Sequence, residues 1–272
     1  MSDVYATIAS ADHEVQQLLA SVLERRASDP QQQGMLNDYL ADIKFPPGAD
    51  VLDAGCGTGA VSRVLARYHR IGRVVGVDPS PVFLAIARKL AADLDNLSFI
   101  EGDCRSLPHG DGSFDAVVFH TTLSHVPGPE NALAEAYRVL RPGGLLVLFD
   151  GNYTSTSLAT GDFDPLQNCA DAAMAALVHD RWLIPRLPGL VTAAGFSILK
   201  QRSFSFVETT EPDYMLSIGD RGADILAATG RIGEELAAAL KNEARRRVAT
   251  GGFFGSIAYA SLLACKAGGA TI

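Results

Sequence analysis

The sequence predicts an α/β fold, a mostly parallel sheet with helices on both faces. Three observations predict it. From residue 50 onward, short apolar strands and amphipathic helices alternate as they do in βαβ units. The run Phe114 to His120 is almost wholly apolar, as a strand covered on both faces should be. The strand Val51-Leu52-Asp53 runs directly into a glycine-rich loop, Asp53-Ala54-Gly55-Cys56-Gly57-Thr58-Gly59, and then into a helix.

Each element follows from its pattern. Residues 11–28 read as a helix, with Val15, Leu18, Leu19, Val22 and Leu23 at helical spacing. A second helix is predicted over 30–43, with Pro30 in its first turn and Pro46-Pro47-Gly48 ending it. Strands follow at 51–53, 73–78, 97–101, 114–120 and 145–149. Helices are predicted between them at 58–70, 80–93 and 129–140, the last broken by Arg141-Pro142-Gly143-Gly144. Beyond residue 150 the pattern loosens. A helix or loop over 163–180, a helix near 183–194 and a strand near 196–206 lead to a long segment, 210–250. There Ile232, Leu236, Leu240, Ala244 and Val248 recur every four residues, which predicts an amphipathic helix. Phe253 to Leu263 reads as a strand returning to the sheet.

The 272 residues are 47 % hydrophobic and 20 % charged, a globular composition able to bury a core. The net charge of −8 argues against a nucleic-acid partner, because phosphate recognition needs a Lys/Arg surface. The cluster Arg245-Arg246-Arg247 reads as a solvated helix face. Four cysteines without CxxC spacing read as reduced thiols. Met1-Ser2-Asp3-Val4-Tyr5 lacks the basic start of a secretory signal, and no apolar run approaches the ~18 residues of a membrane span. The expectation is a soluble cytoplasmic protein with no membrane partner. The six histidines show no ligand spacing, so no metal site is expected.

The glycine loop carries the chemistry. A dinucleotide loop is normally GxGxxG, with its pyrophosphate at the helix N-terminus. Here the spacing is GxGxG, and Asp53 sits two residues before Gly55. A carboxylate there repels phosphate and attracts an ammonium group. Asp78 ends the next strand, where an acid can accept hydrogen bonds from ribose hydroxyls. Its ordinary alternative is a helix cap before Pro79 and Ser80.

The stretch 49–150 resembles the class I S-adenosylmethionine-dependent methyltransferases, most closely the small-molecule branch that includes the ubiquinone/menaquinone methyltransferases. The matching pieces are VLDAGCGTG at 51–59, VVGVDPS at 74–80, EGDCRSLP at 101–108, FDAVVFHTTLSHVP at 114–127 and RVLRPGGLLVL at 138–148. The resemblance implies a Rossmann-like sheet of seven strands with the last antiparallel, a helical N-terminal cap (1–48), a cofactor-binding core (49–151) and substrate-side additions that complete the sheet (152–272). It implies S-adenosyl-L-methionine as donor and S-adenosyl-L-homocysteine as product. Asp53 would hold the donor's amino group, and Gly55, Cys56, Gly57 and Gly59 would let its methionine part and ribose approach the backbone. Asp78 and Pro79 would border the ribose. Gly102, Asp103 and Cys104 would border the adenine, and His120 the methionine part.

Transfer from a sulfonium needs positioning above all, and a base only when the acceptor atom carries a proton. The candidates are His125, His120, Asp150 and Tyr153, which follow the fourth and fifth strands. For each the plainer alternative is structural. The segment 207–250, longer than the family's usual link, is expected with the N-terminal helices to form a lid or a homo-oligomer contact. Arg181, Trp182, Phe204, Phe206, Tyr214, Met215, Phe253 and Phe254 are candidates for shaping an acceptor pocket, with ordinary core packing as the alternative for each. Phe119-His120-Thr121-Thr122 lacks the Pro-Pro motif of DNA adenine and glutamine methylation. The expected function is methyl transfer to O, N or C of a small, biosynthetic acceptor. Alternatives are a non-methylating cofactor-binding module and a cyclase-type relative. An NAD-dependent oxidoreductase would want GxGxxG.

Overall fold

The computed structural model describes residue 3 and residues 5–268; the expectation about the N-terminal leader falls partly on Met1, Ser2 and Val4, outside them. The chain runs α1 (His13–Ser28), α2 (Pro30–Leu40), β1 (Ala49–Ala54), α3 (Ala60–Ala66), β2 (Ile71–Asp78), α4 (Pro81–Leu90), β3 (Leu97–Glu101) and β4 (Phe114–His120). It continues through α5 (Pro129–Val139), β5 (Leu140–Ser157), α6 (Pro165–Leu177), α7 (Leu183–Ala193), β6 (Phe196–Glu208), α8 (Asp213–Ala228), α9 (Glu234–Ala249) and β7 (Gly255–Lys266).

The seven strands form one sheet in the order β3-β2-β1-β4-β5-β7-β6. β1 to β5 pair in parallel, and β7 runs antiparallel to both β5 and β6. Strand residues alternate between faces. Val51, Val74, Val118, Val147 and Phe149 pack with α2, α3, α6, α8 and α9. Leu52, Val75, Val117, Phe119 and Leu148 pack with α5 and α7 on the other face. The order reverses between β1 and β4, so the strand ends around Asp53 and His120 open a crevice there.

Three expectations change in detail. β5 extends to Ser157 because β7 pairs with it past Phe149, at Asp150, Gly151 and Asn152. The segment 210–250 is two helices, separated by a turn in which Gly230 has φ +70°, and Leu236 is exposed while Leu240 and Ala244 are buried. On α1 the buried face is Gln16, Leu19 and Ala20; Val15 and Leu18 point outward. Leu19, Ala20 and the partly buried Leu23 cluster with Phe83 and Ile86 of α4, which fixes the cap onto the core.

Polar contacts hold the cap in place. Asp29 caps α2 by accepting from the Gln32 amide, and Pro30 occupies the first turn. Ser80 caps α4 and donates to Gln16 of α1 at 2.6 Å. Gln31 exchanges two hydrogen bonds with the Val207 backbone, tying α2 to β6. The arginine cluster of α9 is paired: Arg245 with Asp220, Arg246 with Glu243, and Arg247 with Asp164 and Glu243. Those partners cancel its positive field locally. No described helix is long and apolar enough to cross a membrane.

Candidate active site

The loop after β1 is shaped by its backbone. The N–H groups of Gly55 and Cys56 both donate to the Val77 carbonyl, at 2.8 and 3.0 Å, folding the loop against β2. Gly55 has φ +75°, and a Cβ there would collide with the Thr122 side chain. Gly59 begins α3 at φ +76° with the Phe99 ring against its Cα. The loop is therefore clamped between β2 and the turn after β4.

Two buried carboxylates lie beneath it. Asp53 accepts a 2.5 Å hydrogen bond from Ser62 Oγ. Asp78 accepts from Gly57 N at 2.8 Å through one oxygen and from Ser80 N at 2.9 Å through the other. Burial pushes each up to about 6, and the charge of Asp78 adds to the shift at Asp53. Ser80, not Asp78, caps α4, so Asp78 ties the glycine loop to the helix start. Asp103 differs: its hydrogen bonds with Arg105 hold it below the usual carboxylate range.

The loop, these acids and the turn after β4 line one cavity of about 690 Å³, a size suited to a small ligand. Of the residues expected around the donor, Asp53, Gly55, Cys56, Gly57, Asp78, Pro79, Asp103, Cys104 and His120 line it. Gly59 and Gly102 do not; they pack beneath, against Phe99 and Val77. Residues 5–10, with Leu23, Arg26, Gln32 and Leu36, supply the facing wall. No residue of α8 or α9 lines the cavity, so among the described residues the cover is N-terminal.

The four expected base candidates occupy different settings. His120 is sandwiched against Phe149 at 4.7 Å, and its Nδ1 lies 2.9 Å from the Tyr39 hydroxyl. Burial, with the charge of Arg26, pulls it down to about 3, so it stays neutral and is a poor proton acceptor. Asp150 and Tyr153 do not line the cavity. Asp150 accepts from Ser124 N, Ser124 Oγ and Gly151 N, which anchors the turn after β4. Tyr153 is buried, with its ring 6.3 Å from that of His125. His125 does line the cavity.

Among the lining residues that sequence reasoning passed over, Arg26 and Gln32 carry polar groups toward the cavity. Arg26 donates to Thr121 Oγ1 and makes no ion pair among the described residues. Thr121 itself adopts φ +51°, rare for a β-branched residue, which turns the chain sharply at the end of β4. Gln32 is 5 % exposed, and neither its amide oxygen nor its nitrogen has a hydrogen-bond partner among the described residues. Both sit on helices whose only sequence signal is amphipathicity. No group of three or more metal-ligating side chains converges among the described residues.

Residues 52–148 match the family described as "Methyltransferase domain". A demethylmenaquinone methyltransferase of Tropheryma whipplei is 32 % identical over 173 residues, covering 62 % of this chain and 64 % of the relative. A 2-phytyl-1,4-naphtoquinone methyltransferase of Thermosynechococcus vestitus is 36 % identical over 116 residues, 42 % of this chain and 52 % of the relative. The matches therefore span about half to two thirds of these relatives' own length. Among solved structures, a putative methyltransferase of Bacillus halodurans superposes with a TM-score of 0.63 at 21 % identity, covering 85 % of this chain and 98 % of that one, a likeness of fold. The [4+2]-cyclase SpnF gives 0.57 at 25 % identity, over 89 % and 85 %. With the strand order, the GxGxG loop and its paired acids, these matches make residues 52–148 a methyltransferase domain that resembles the class I S-adenosylmethionine-dependent quinone methyltransferases.

Proposed function

We propose that the protein transfers a methyl group from S-adenosylmethionine to oxygen, nitrogen or carbon of a small, biosynthetic acceptor. The observation that carries this reading is the single cavity shared by the glycine loop, Asp53 and Asp78 on one side and His125 on the other.

The residues present fit an aminoacyl nucleoside. The Gln32 amide is without a hydrogen-bond partner among the described residues, and the Arg26 guanidinium, which donates to Thr121 Oγ1 but has no carboxylate partner there, keeps donors for a ligand. Asp53 would balance an ammonium group, and Arg26 the carboxylate of the same amino acid. Asp78 would accept from ribose hydroxyls. Asp103 and Cys104 would border the base. When bound, the donor supplies a methyl group already activated on a sulfonium. The protein's own work is then to orient, to exclude water and to accept a proton where the acceptor has one. His125, which lines the cavity, would take the last task. The three parts 1–48, 49–151 and 152–272 serve as cover, donor site and acceptor-side completion of the sheet. Free, mostly buried cysteines accord with a reducing cytoplasm.

The test is incubation with methyl-labelled donor and candidate metabolite pools, followed by mass spectrometry. Label appearing in a metabolite supports the reading. The likeness to SpnF favours one second reading, a cofactor-binding catalyst that makes carbon–carbon bonds without methylation. Tight donor binding with no label transfer would select it.

A further inference from the structure

The N-terminal segment does more than cover the cavity. The Asp3 carboxylate is buried; its side chain is 1 % exposed, although it precedes every helix and strand. Asp3 Oδ1 accepts from Tyr5 N at 2.9 Å, and Oδ2 accepts from His179 N at 2.8 Å. The same Oδ2 lies 2.6 Å from His125 Nδ1. The Tyr5 ring packs on His125 with centroids 4.9 Å apart. Residues 5–10 then pass along the cavity wall. Through the one carboxylate of Asp3, this N-terminal strap is thus pinned both to the turn after β4 and to the loop after α6.

The hydrogen-bond pattern assigns the proton. An ionised carboxylate only accepts, and both Asp3 oxygens already accept from backbone N–H groups. With the Asp3 carboxylate ionised, His125 Nδ1 is then the donor in this pair. In the neutral ring that leaves Nε2 with a free lone pair, and the ring lines the cavity.

We propose that Asp3 is a positioning residue: it fixes His125 in the Nδ1–H tautomer and so turns Nε2 into the proton acceptor for the substrate. This rests on the reading of His125 as base. In the step, the acceptor's O–H or N–H bond breaks and its electron pair forms the bond to the methyl group. The carbon–sulfur pair stays with sulfur, and the proton binds Nε2. The resulting imidazolium keeps its Nδ1 proton beside the Asp3 carboxylate, which stabilises the positive charge. The base is complete only when the strap is in place, so cover and chemistry are one event.

The experiment uses the full ¹⁵N-labelled chain with S-adenosylhomocysteine, reading the His125 imidazole by long-range ¹H–¹⁵N correlation at neutral pH. The expected result is an Nδ1–H ring in the native protein and loss of that tautomer preference in Asp3→Asn at S-adenosylhomocysteine concentrations that saturate both chains. Asp3→Glu should restore it in part. A native Nε2–H ring, or an unchanged ring in Asp3→Asn, overturns the proposal. With an acceptor found by label transfer, Asp3→Asn should lower kcat by about 10²-fold at near-constant KM. In a His125→Asn background the same change should cost nothing more. If the tautomer responds but kcat does not move in either single variant, His125 is not the base, and the catalytic half of the proposal falls with it.

Discussion

The charge on Asp78 reaches Asp53 across the β1–β2 pair and raises its proton affinity, so two buried acids on neighbouring strand ends share one electrostatic problem. Each is pushed up to about 6 from an ordinary 3.8. A raised carboxylate pKa favours the folded state at low pH. That contribution is full below the ordinary value and is lost as pH rises through about 6. The empty protein should accordingly lose stability between about pH 4 and pH 7 through these two groups. Binding runs the other way, because an ammonium group needs the ionised acids. Affinity for S-adenosylhomocysteine, measured by calorimetry, should fall steadily from about pH 7 to pH 5. Asp53→Asn should raise the unfolding free energy of the empty protein at neutral pH by about 1–3 kcal/mol while weakening that affinity.

Arg26 should discriminate between parts of the ligand. A charge-assisted hydrogen bond contributes roughly 1.5–3 kcal/mol, so Arg26→Gln should weaken S-adenosylhomocysteine about 10- to 100-fold. Adenosine, which lacks the amino-acid carboxylate, should bind the variant as it binds the native chain. An equal loss for both ligands would place Arg26 in the scaffold of α1 instead.

Gly55→Ala combines a positive φ with a Cβ driven into Thr122. Urea unfolding should show a loss of more than about 2 kcal/mol, with cofactor binding abolished even where the variant remains folded. Gly143→Ala is the control: φ is +78° there too, but nothing lies within 4 Å, so only the backbone cost should appear.

Phe149 is the hub of an aromatic stack. Its ring lies 4.7 Å from His120, 5.2 Å from Tyr39 and 5.3 Å from Tyr259. Phe149→Ala should cost about 3–5 kcal/mol in urea unfolding. It should also let water reach His120, whose pKa, followed by NMR, should climb from about 3 toward the ordinary value of 6.5.

Much of the fold was legible because single residues had little freedom. The bounds of β3 and β4 follow from short apolar runs, and the observed strands coincide with them. The outer part of β5 was hidden, since its length depends on pairing with β7, more than a hundred residues away. Asp53 and Asp78 were legible because a strand end and a glycine turn fix where each points. Arg26, Gln32 and Asp3 were not. An arginine inside an amphipathic helix reads as solvated until the helix is seen to lie across a cavity, and Asp3 gains its role only from His125 and His179 far along the chain. His120 and His125, five residues apart, looked equivalent in sequence. Burial against Phe149 makes one inert, while the turn after β4 brings the other to the open space.

β7 comes last of the seven strands in sequence yet lies inside the sheet, between β5 and β6. On the ribosome, β1 to β5 can assemble as they emerge, whereas β6 has no neighbour until β7 is made. The growing chain would therefore display an unfinished edge at β5 for the time needed to synthesise more than a hundred residues. An arrest or nonsense lesion before Gly255 would leave that apolar edge open, a species for chaperones and proteases to handle.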